Sequence, residues 1–368
     1  MNTLIYKEIL VVPTKGDAKV VPEDTKVNKG DPILVTGAGG FLGAPVVASL
    51  LDRGFQNIRC LVRPTSNLAR LQQVIASRDG QARAQIITGN LLSRDDCARL
   101  AGDAVLIYHL AAGTGTKAFP DAYMNSVIAT KNLLDATLGQ KCLRRFVNVS
   151  SFAVYTNRHK PRWRVLDESC PVEDHPESRA EAYCFGKVKQ DELVVAYGQT
   201  HAVPFVILRP GNIFGPGKTA IPGRVGIDSF GVYLHLGGSN PIPLTFVDNC
   251  AEAVVLAGLK PGIEGEVFNI VDDHLPTSRR YLRLYKKNVK RFRSVYVPHA
   301  LSYVFCWAWE RYSKWSRGQL PPVFTRREWA ATWKKTRYSN QKIKSLVGWT
   351  PKVPMAEALR RFFESLKA

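Results

Sequence analysis

With 368 residues the chain has the size of one large or two unequal domains, and with 45% apolar and 22% charged residues it has the composition of a chain that folds around a core. A mainly disordered chain, a collagen-like repeat and a multi-spanning membrane protein are excluded on these figures. The net charge is +20, and eighteen basic residues stand against two acidic ones between Arg279 and Lys344, so most of the excess belongs to one segment.

Residues 1–30 are weakly patterned and read as an N-terminal arm without chemistry of its own. From Pro32 the pattern becomes regular. Ile33-Leu34-Val35 predicts a buried strand, followed by a glycine cluster, a helix over 44–51 and a second strand over 58–62. Further strands are expected over 85–88, 104–110, 145–149 and 205–208, with helical stretches between them. Strands that alternate with helices predict an α/β fold, a Rossmann-type doubly wound parallel sheet. The division expected is a dinucleotide-binding domain over 31–210 and a smaller C-terminal substrate-binding lobe over 211–368, some of whose segments return to the core. Helices are expected at 248–258, 297–317 and 355–367.

Seven cysteines (Cys60, Cys97, Cys142, Cys170, Cys184, Cys250 and Cys306) are scattered, with no C-x-x-C pair. This pattern fits reduced thiols better than a disulfide framework or a zinc site. The apolar run within Met1–Val12 is broken by Lys7 and Glu8 and lacks the flanks of a signal peptide, and no run reaches the length of a membrane span. The expectation is a cytoplasmic protein that touches a membrane, if at all, at its periphery.

The glycine cluster reads Thr36-Gly37-Ala38-Gly39-Gly40-Phe41-Leu42-Gly43, placed after a strand and before a helix. In that setting Gly37 permits a tight turn, Gly40 brings backbone N–H groups to a pyrophosphate, and Gly43 lets helix and strand pack closely, while the helix N-terminus favours negative charge. A dinucleotide is therefore the expected ligand of residues 37–43. The second strand ends Arg59-Cys60-Leu61-Val62-Arg63, with no carboxylate to accept from a ribose hydroxyl and with Arg63 in its place, which predicts NADP over NAD. Asn90 and Leu91, after the third strand, are candidates for the adenine side.

Tyr183 and Lys187 stand one helical turn apart, so both project from one face. An ammonium there stabilises phenolate and lowers the phenol pKa from about 10 toward neutrality, giving an acid/base group. Ser150 and Ser151 close the strand over 145–149, at the edge where open parallel sheets bind ligands.

With these motifs in place the sequence resembles the extended short-chain dehydrogenase/reductase family from about residue 32 to the C-terminus. Further matching blocks are His109-Leu110-Ala111-Ala112, Asn125 to Leu134, Arg209-Pro210-Gly211-Asn212-Ile213-Phe214-Gly215-Pro216-Gly217, Phe246-Val247-Asp248-Asn249, Gly265 to Ile270 and Leu346 to Lys352, in the family's order. The resemblance implies Tyr183 as acid/base, Lys187 as its partner and ribose ligand, Ser151 as the holder of the reacting oxygen, and Asn125 as a residue acting on Lys187 through water or as a packing residue. It adds Ala111, Ala112 and Pro210 to the cofactor contacts, and a homodimer as the family's habit. It implies hydride exchange between a secondary alcohol and nicotinamide. Phe152-Ala153 replaces the Asp-Glu pair of the dehydratases. The uncharged approach over residues 240–245 is similar to the 3β-hydroxysteroid dehydrogenase branch and suggests a sterol-like or other hydrophobic substrate, with nucleotide-sugar epimerisation as the alternative. Arg224, Arg279 and Arg280 are the candidates for a substrate phosphate.

Five of the seven tryptophans (Trp307, Trp309, Trp315, Trp329 and Trp333) fall in the basic segment. Residues 297–317 read either as an interfacial helix against anionic lipid or as a helix whose residues 303–309 form a lid over the substrate pocket, with the charges a solvated face. Nucleic-acid binding is disfavoured because no recognition module accompanies the charge.

Overall fold

The computed structural model describes residues 27–78, 83–113, 118–159, 161, 164–179, 181–229, 231–316, 319–320 and 324–367. The arm expected over residues 1–30 lies outside this range except for its last four residues, as does Arg317 at the end of the expected basic helix.

Seven parallel strands form one sheet: β1 (Ile33–Thr36), β2 (Ile58–Val62), β3 (Ala84–Thr88), β4 (Leu106–His109), β5 (Arg145–Val149), β6 (Phe205–Pro210) and β7 (Val267–Ile270). Their spatial order is β7-β6-β5-β4-β1-β2-β3. Every residue of β1, β4, β5 and β6 is buried. Both faces of a parallel sheet are covered by helices, so its strands read as unbroken apolar runs. This is the α/β architecture expected. β7 was not foreseen as a strand: Val-Phe-Asn-Ile is short, and Asn269 breaks the apolar run.

Because side chains alternate across a strand, the sheet divides its own residues between two cores. Ile33, Val35, Tyr108, Val147 and Leu208 face one layer with helix α1 (Gly43–Asp52). Leu34, Ile107, Phe146 and Ile207 face the other, with residues of helix α2 (Ala182–His201). Helix α3 (Val247–Leu259), although late in the chain, returns to the first layer beside α1, where Tyr108 donates its phenol proton to the Val255 carbonyl at 3.0 Å.

The register sets the site. Thr36 lies opposite His109, His109 opposite Asn148, and Val149 opposite Leu208, so the strands end together at their C-terminal edge. Strand order reverses between β1 and β4, and the loops that leave these two strands meet there: a Cβ on Gly37 would lie 3.0 Å from the Ala111 nitrogen. That junction is where doubly wound sheets form a crevice.

Beyond β6 a second core gathers Phe214, Val225, Tyr233, Ile242, Leu244, Phe246 and Tyr281 under α4 (Ser278–Asn288) and the C-terminal helix Met355–Ser365. A further small cluster of Leu236, Cys306, Trp329 and Trp333 seats helix α5 (His299–Trp315) against Arg326–Thr332.

Candidate active site

The glycine turn follows β1 directly. Gly37 takes a φ of +68°, a region that costs a residue with a side chain about 1–2 kcal/mol, and Gly40 N donates to the Gly37 carbonyl at 2.9 Å. A Cβ on Gly43 would stand 2.2 Å from that same carbonyl oxygen, so glycine there is a packing requirement between α1 and the turn. Gly39 is different. A Cβ on Gly39 would make only ordinary 3.6 Å contacts, and nothing in the protein demands its absence. The N-terminus of α1 has no side-chain cap and no acidic residue in its first turn. A pyrophosphate fits such a cradle, since it needs free backbone N–H groups and positive potential.

Two cations frame the same turn, and sequence reasoning missed both. The Arg70 guanidinium lies 5.4 Å from the centre of the Phe41 ring and donates to the Phe41 carbonyl at 3.4 Å; the Lys218 ammonium stands 5.1 Å from the same ring. Arg63 is exposed at the end of β2, in a turn closed by Ser66 N donating to the Arg63 carbonyl at 3.0 Å. Asn90, also exposed, spends its side-chain oxygen on the Leu92 amide at 3.0 Å, and the Leu91 carbonyl accepts from Asn132 at 3.0 Å. Ala111 and Ala112 are half-buried at the end of β4, and Pro210 is buried at the end of β6.

Helix α2 carries Tyr183 and Lys187 to the edge of β5. Lys187 is buried, and its Nζ donates to the Val149 carbonyl at 2.6 Å and to Gln190 Oε1 at 2.9 Å. With three protons, the ammonium keeps one donor uncommitted. Burial depresses its pKa to about 8, against the nearby Asp191 charge, which raises it. Tyr183 is half-buried, and burial pushes its phenol up to about 12, while a hydrogen bond with the Ser151 side chain acts in the opposite direction. Here the structure departs from the sequence expectation. The Lys187 ammonium is turned to a carbonyl and an amide, and desolvation prevails over any help it gives to phenolate. Ser151 caps the short turn Phe152–Val154, its Oγ accepting from Ala153 N at 3.1 Å.

Behind Lys187 a buried polar chain runs back to β1. Thr130 donates its hydroxyl proton to the Ser126 carbonyl, so its oxygen accepts from Gln190 Nε2 and His109 Nε2, each at 2.8 Å. The single proton of a neutral His109 is thereby assigned to Nε2, and Nδ1 accepts from Thr36 Oγ1 at 2.8 Å. Burial, reinforced by the Lys187 charge, pushes His109 down to about 3 and keeps it neutral. The sequence held one sign of this chain, a histidine closing the otherwise apolar strand Leu106–His109.

Ser150 faces the core. It donates to Asp191 Oδ2 at 2.9 Å, beside Asn148 Nδ2 on Oδ1 and Arg209 Nε on Oδ2, both at 3.1 Å. Asn125 lies on a π-helical turn, Tyr123–Ile128, a geometry enriched at functional sites. Its Nδ2 donates to the Asp121 carbonyl at 2.9 Å, and among the described residues no direct hydrogen bond joins it to Lys187. Glu181, two residues before Tyr183, forms an ion pair with Arg179 at 3.1 Å; burial and the Glu328 charge raise its carboxyl to about 7.

Comparisons with known proteins show the chain's family. A family model described as the NAD dependent epimerase/dehydratase family matches residues 33–270. The low-salt glycan biosynthesis protein Agl12 of Haloferax volcanii is 30% identical over 65% of this chain and 76% of its own length. A trifunctional UDP-glucose 4,6-dehydratase/UDP-4-keto-6-deoxy-D-glucose 3,5-epimerase/UDP-4-keto-L-rhamnose-reductase of Arabidopsis thaliana is 27% identical over 67% of this chain, which spans only 38% of that longer protein. Among solved structures, UDP-glucuronic acid 4-epimerase from Bacillus cereus in complex with NAD superposes with a TM-score of 0.68 at 21% identity, covering 91% of this chain and 98% of that one; this likeness is one of fold.

Proposed function

Because the chain belongs to the NAD-dependent epimerase/dehydratase family, we propose that it interconverts a secondary alcohol and a ketone by hydride exchange with a nicotinamide dinucleotide held over the Gly37–Gly43 turn. The observation that carries this reading is the junction of three features at one sheet edge: the glycine turn with Gly37 at positive φ, the uncapped N-terminus of α1, and Tyr183 beside Ser151 with Lys187 one helical turn on. When bound, the dinucleotide supplies the hydride donor or acceptor at C4 of its ring and, oxidised, a positive charge.

The protein's own groups handle the proton. Ser151 orients the reacting oxygen, and Tyr183 Oη gives or takes the proton. A phenol raised to about 12 holds that proton throughout the neutral range, which suits donation to a ketone oxygen. Lys187 is the ribose ligand through its uncommitted donor. Arg63, without a competing carboxylate on β2, favours the 2′-phosphate, so NADP is the preferred form.

Dehydration is disfavoured, since Phe152 and Ala153 follow Ser151 and Phe152 is buried. The inference of a sterol-like substrate loses its footing. Ile242 and Leu244 of the uncharged approach to Phe246 are packed in the lobe's core and Thr245 is buried beside them, so their lack of charge is accounted for by burial and says nothing of the substrate. A second reading, nucleotide-sugar epimerisation, is favoured by the names of the relatives. For the substrate diphosphate, Arg224 has Nη1 engaged by the Ala331 carbonyl at 2.8 Å, which leaves the exposed Arg279 and Arg280 as better candidates.

Purified protein separates the two readings when it is supplied with NADPH or NADH for a ketone and with NADP+ or NAD+ for a UDP-sugar. A lasting absorbance change at 340 nm with a ketone supports net reduction, whereas isomerisation of a UDP-sugar without a net change supports epimerisation. The absence of both, with authentic cofactor bound, overturns the proposal.

A further inference from the structure

Helix α5 is built inside out. Its buried positions are Ser302, Cys306 and Ser313, while Leu301, Tyr303, Val304, Phe305, Trp307, Tyr312 and Trp315 are exposed, Trp315 at 77%. The inward face is polar yet satisfied: Ser302 accepts from Trp329 Nε1 at 2.9 Å, and Ser313 donates to the Leu320 carbonyl at 2.6 Å. Val295 and Tyr296, on the strand just before the helix, continue the apolar surface at 55% and 45% exposure. An isolated exposed leucine is ordinary on a protein surface, but this many exposed apolar and aromatic side chains within one short segment mark an interaction site.

The charge on α5 and in the segment before it points to one occupant of this face. Arg311 and Lys314 project from α5 itself, and the preceding segment exposes Arg283, Lys287, Lys290, Arg291 and Arg293. Glu310, the acidic residue of the helix, is taken up by an ion pair with Arg326 at 2.8 Å. A second copy of this chain meeting the first across a two-fold axis would bring two such basic surfaces together, and like charges repel across an isologous interface. A layer of anionic headgroups over an acyl interior complements both the cations and the aromatic face. Trp and Tyr are the side chains that settle at that boundary, and an amphipathic helix with a basic rim lies in its plane. Among the described residues no helix is long and apolar enough to cross a bilayer.

We propose that α5, with the strand Ser294–Tyr296, docks the enzyme on the surface of an anionic lipid bilayer, the helix axis parallel to the membrane plane. The proposal is independent of which alcohol or ketone is turned over. It places the C-terminal lobe against the lipid and leaves the dinucleotide crevice to the soluble phase.

The test uses the full chain with vesicles of phosphatidylcholine alone or with about one-third phosphatidylserine, read by co-sedimentation and by tryptophan emission. The expected result is binding to the anionic vesicles with a blue shift, weakened at least tenfold by raising salt from 50 to about 300 mM and by Arg311→Glu/Lys314→Glu. Trp307→Ser/Trp315→Ser is expected to weaken binding at least tenfold without altering dinucleotide affinity or melting temperature, both side chains being exposed. Binding indifferent to both double variants overturns the proposal, as does failure to bind anionic vesicles. A concentration-dependent dimer abolished by Trp307→Ser/Trp315→Ser, with no vesicle binding, overturns it in favour of a second copy.

Discussion

Lys187 is held at a cost, and the cost has a pH signature. The folded-state pKa of about 8 lies below the ordinary lysine value of 10.5. Between these two pH values the unfolded chain binds the extra proton, so stability from this group rises with pH across that window and the penalty is in full force below it. The penalty is on the order of 3 kcal/mol. Lys187→Met removes it, so the stability difference between native protein and variant, measured by urea unfolding at pH 7 and pH 10, should change by about that amount in favour of the native protein at the higher pH; a constant difference contradicts the assignment. Tyr183→Phe removes the proton donor and is expected to lower kcat by about 10²–10⁴-fold while leaving the dinucleotide Kd within about twofold. An unchanged kcat, measured with whichever ketone or alcohol proves active, is the contrary result. Arg63→Glu puts a carboxylate where a 2′-phosphate would lie. Its expected effect is a loss of NADPH affinity of at least tenfold with NADH affinity retained or improved, read by fluorescence titration. The types and spacing of these residues were evident in the sequence. The direction of the Tyr183 shift was not, because desolvation depends on what covers a side chain and on where the neighbouring ammonium points.

Helix α2 owes its seating to charge as well as to apolar packing. Its Asp191 side chain accepts from Asn148, Ser150 and Arg209, all on or beside β5 and β6, and Arg209 also lies 4.9 Å from the centre of the Tyr155 ring. Asp191 and Arg209 are 4% and 7% exposed, so removal of the carboxylate strands a buried guanidinium. Asp191→Ala should therefore destabilise the fold by about 3–5 kcal/mol in urea unfolding, where Asp191→Asn, which keeps an acceptor, loses less. Equal losses in the two variants would show that the charge is immaterial. Helices α1, α3 and α5 and the first six strands follow from apolar runs and glycine placement, whereas α4 was not foreseen. Gln190, Thr130 and Asp191 gave no such signal, because polar residues in an apolar-periodic helix become informative only when the strand register brings their partners into reach. β7 escaped for a related reason: its neighbour β6 precedes it by more than fifty residues, and its own four residues carry too little pattern.

Across the whole molecule, the strand order brings the turn after β1 and the loop after β4 together, and α2 delivers its phenol to the same edge. The +20 charge, concentrated after residue 279, lies in the lobe that bears the exposed aromatic helix. A doubly wound fold was readable because alternating strands and helices leave few topologies. The inward serines of α5 were not, since an inside-out helix has the same periodicity as an ordinary one. The dinucleotide crevice is tested most directly by equilibrium titration of NADPH fluorescence against the native protein and Gly39→Val. The Gly39 position has room for a Cβ within the protein, and the melting temperature checks that the variant is folded. Saturable binding by the native chain, weakened at least tenfold in Gly39→Val, is the predicted result. No saturation by the native protein with NADPH or NADH, or equal affinity in a folded Gly39→Val, contradicts the account.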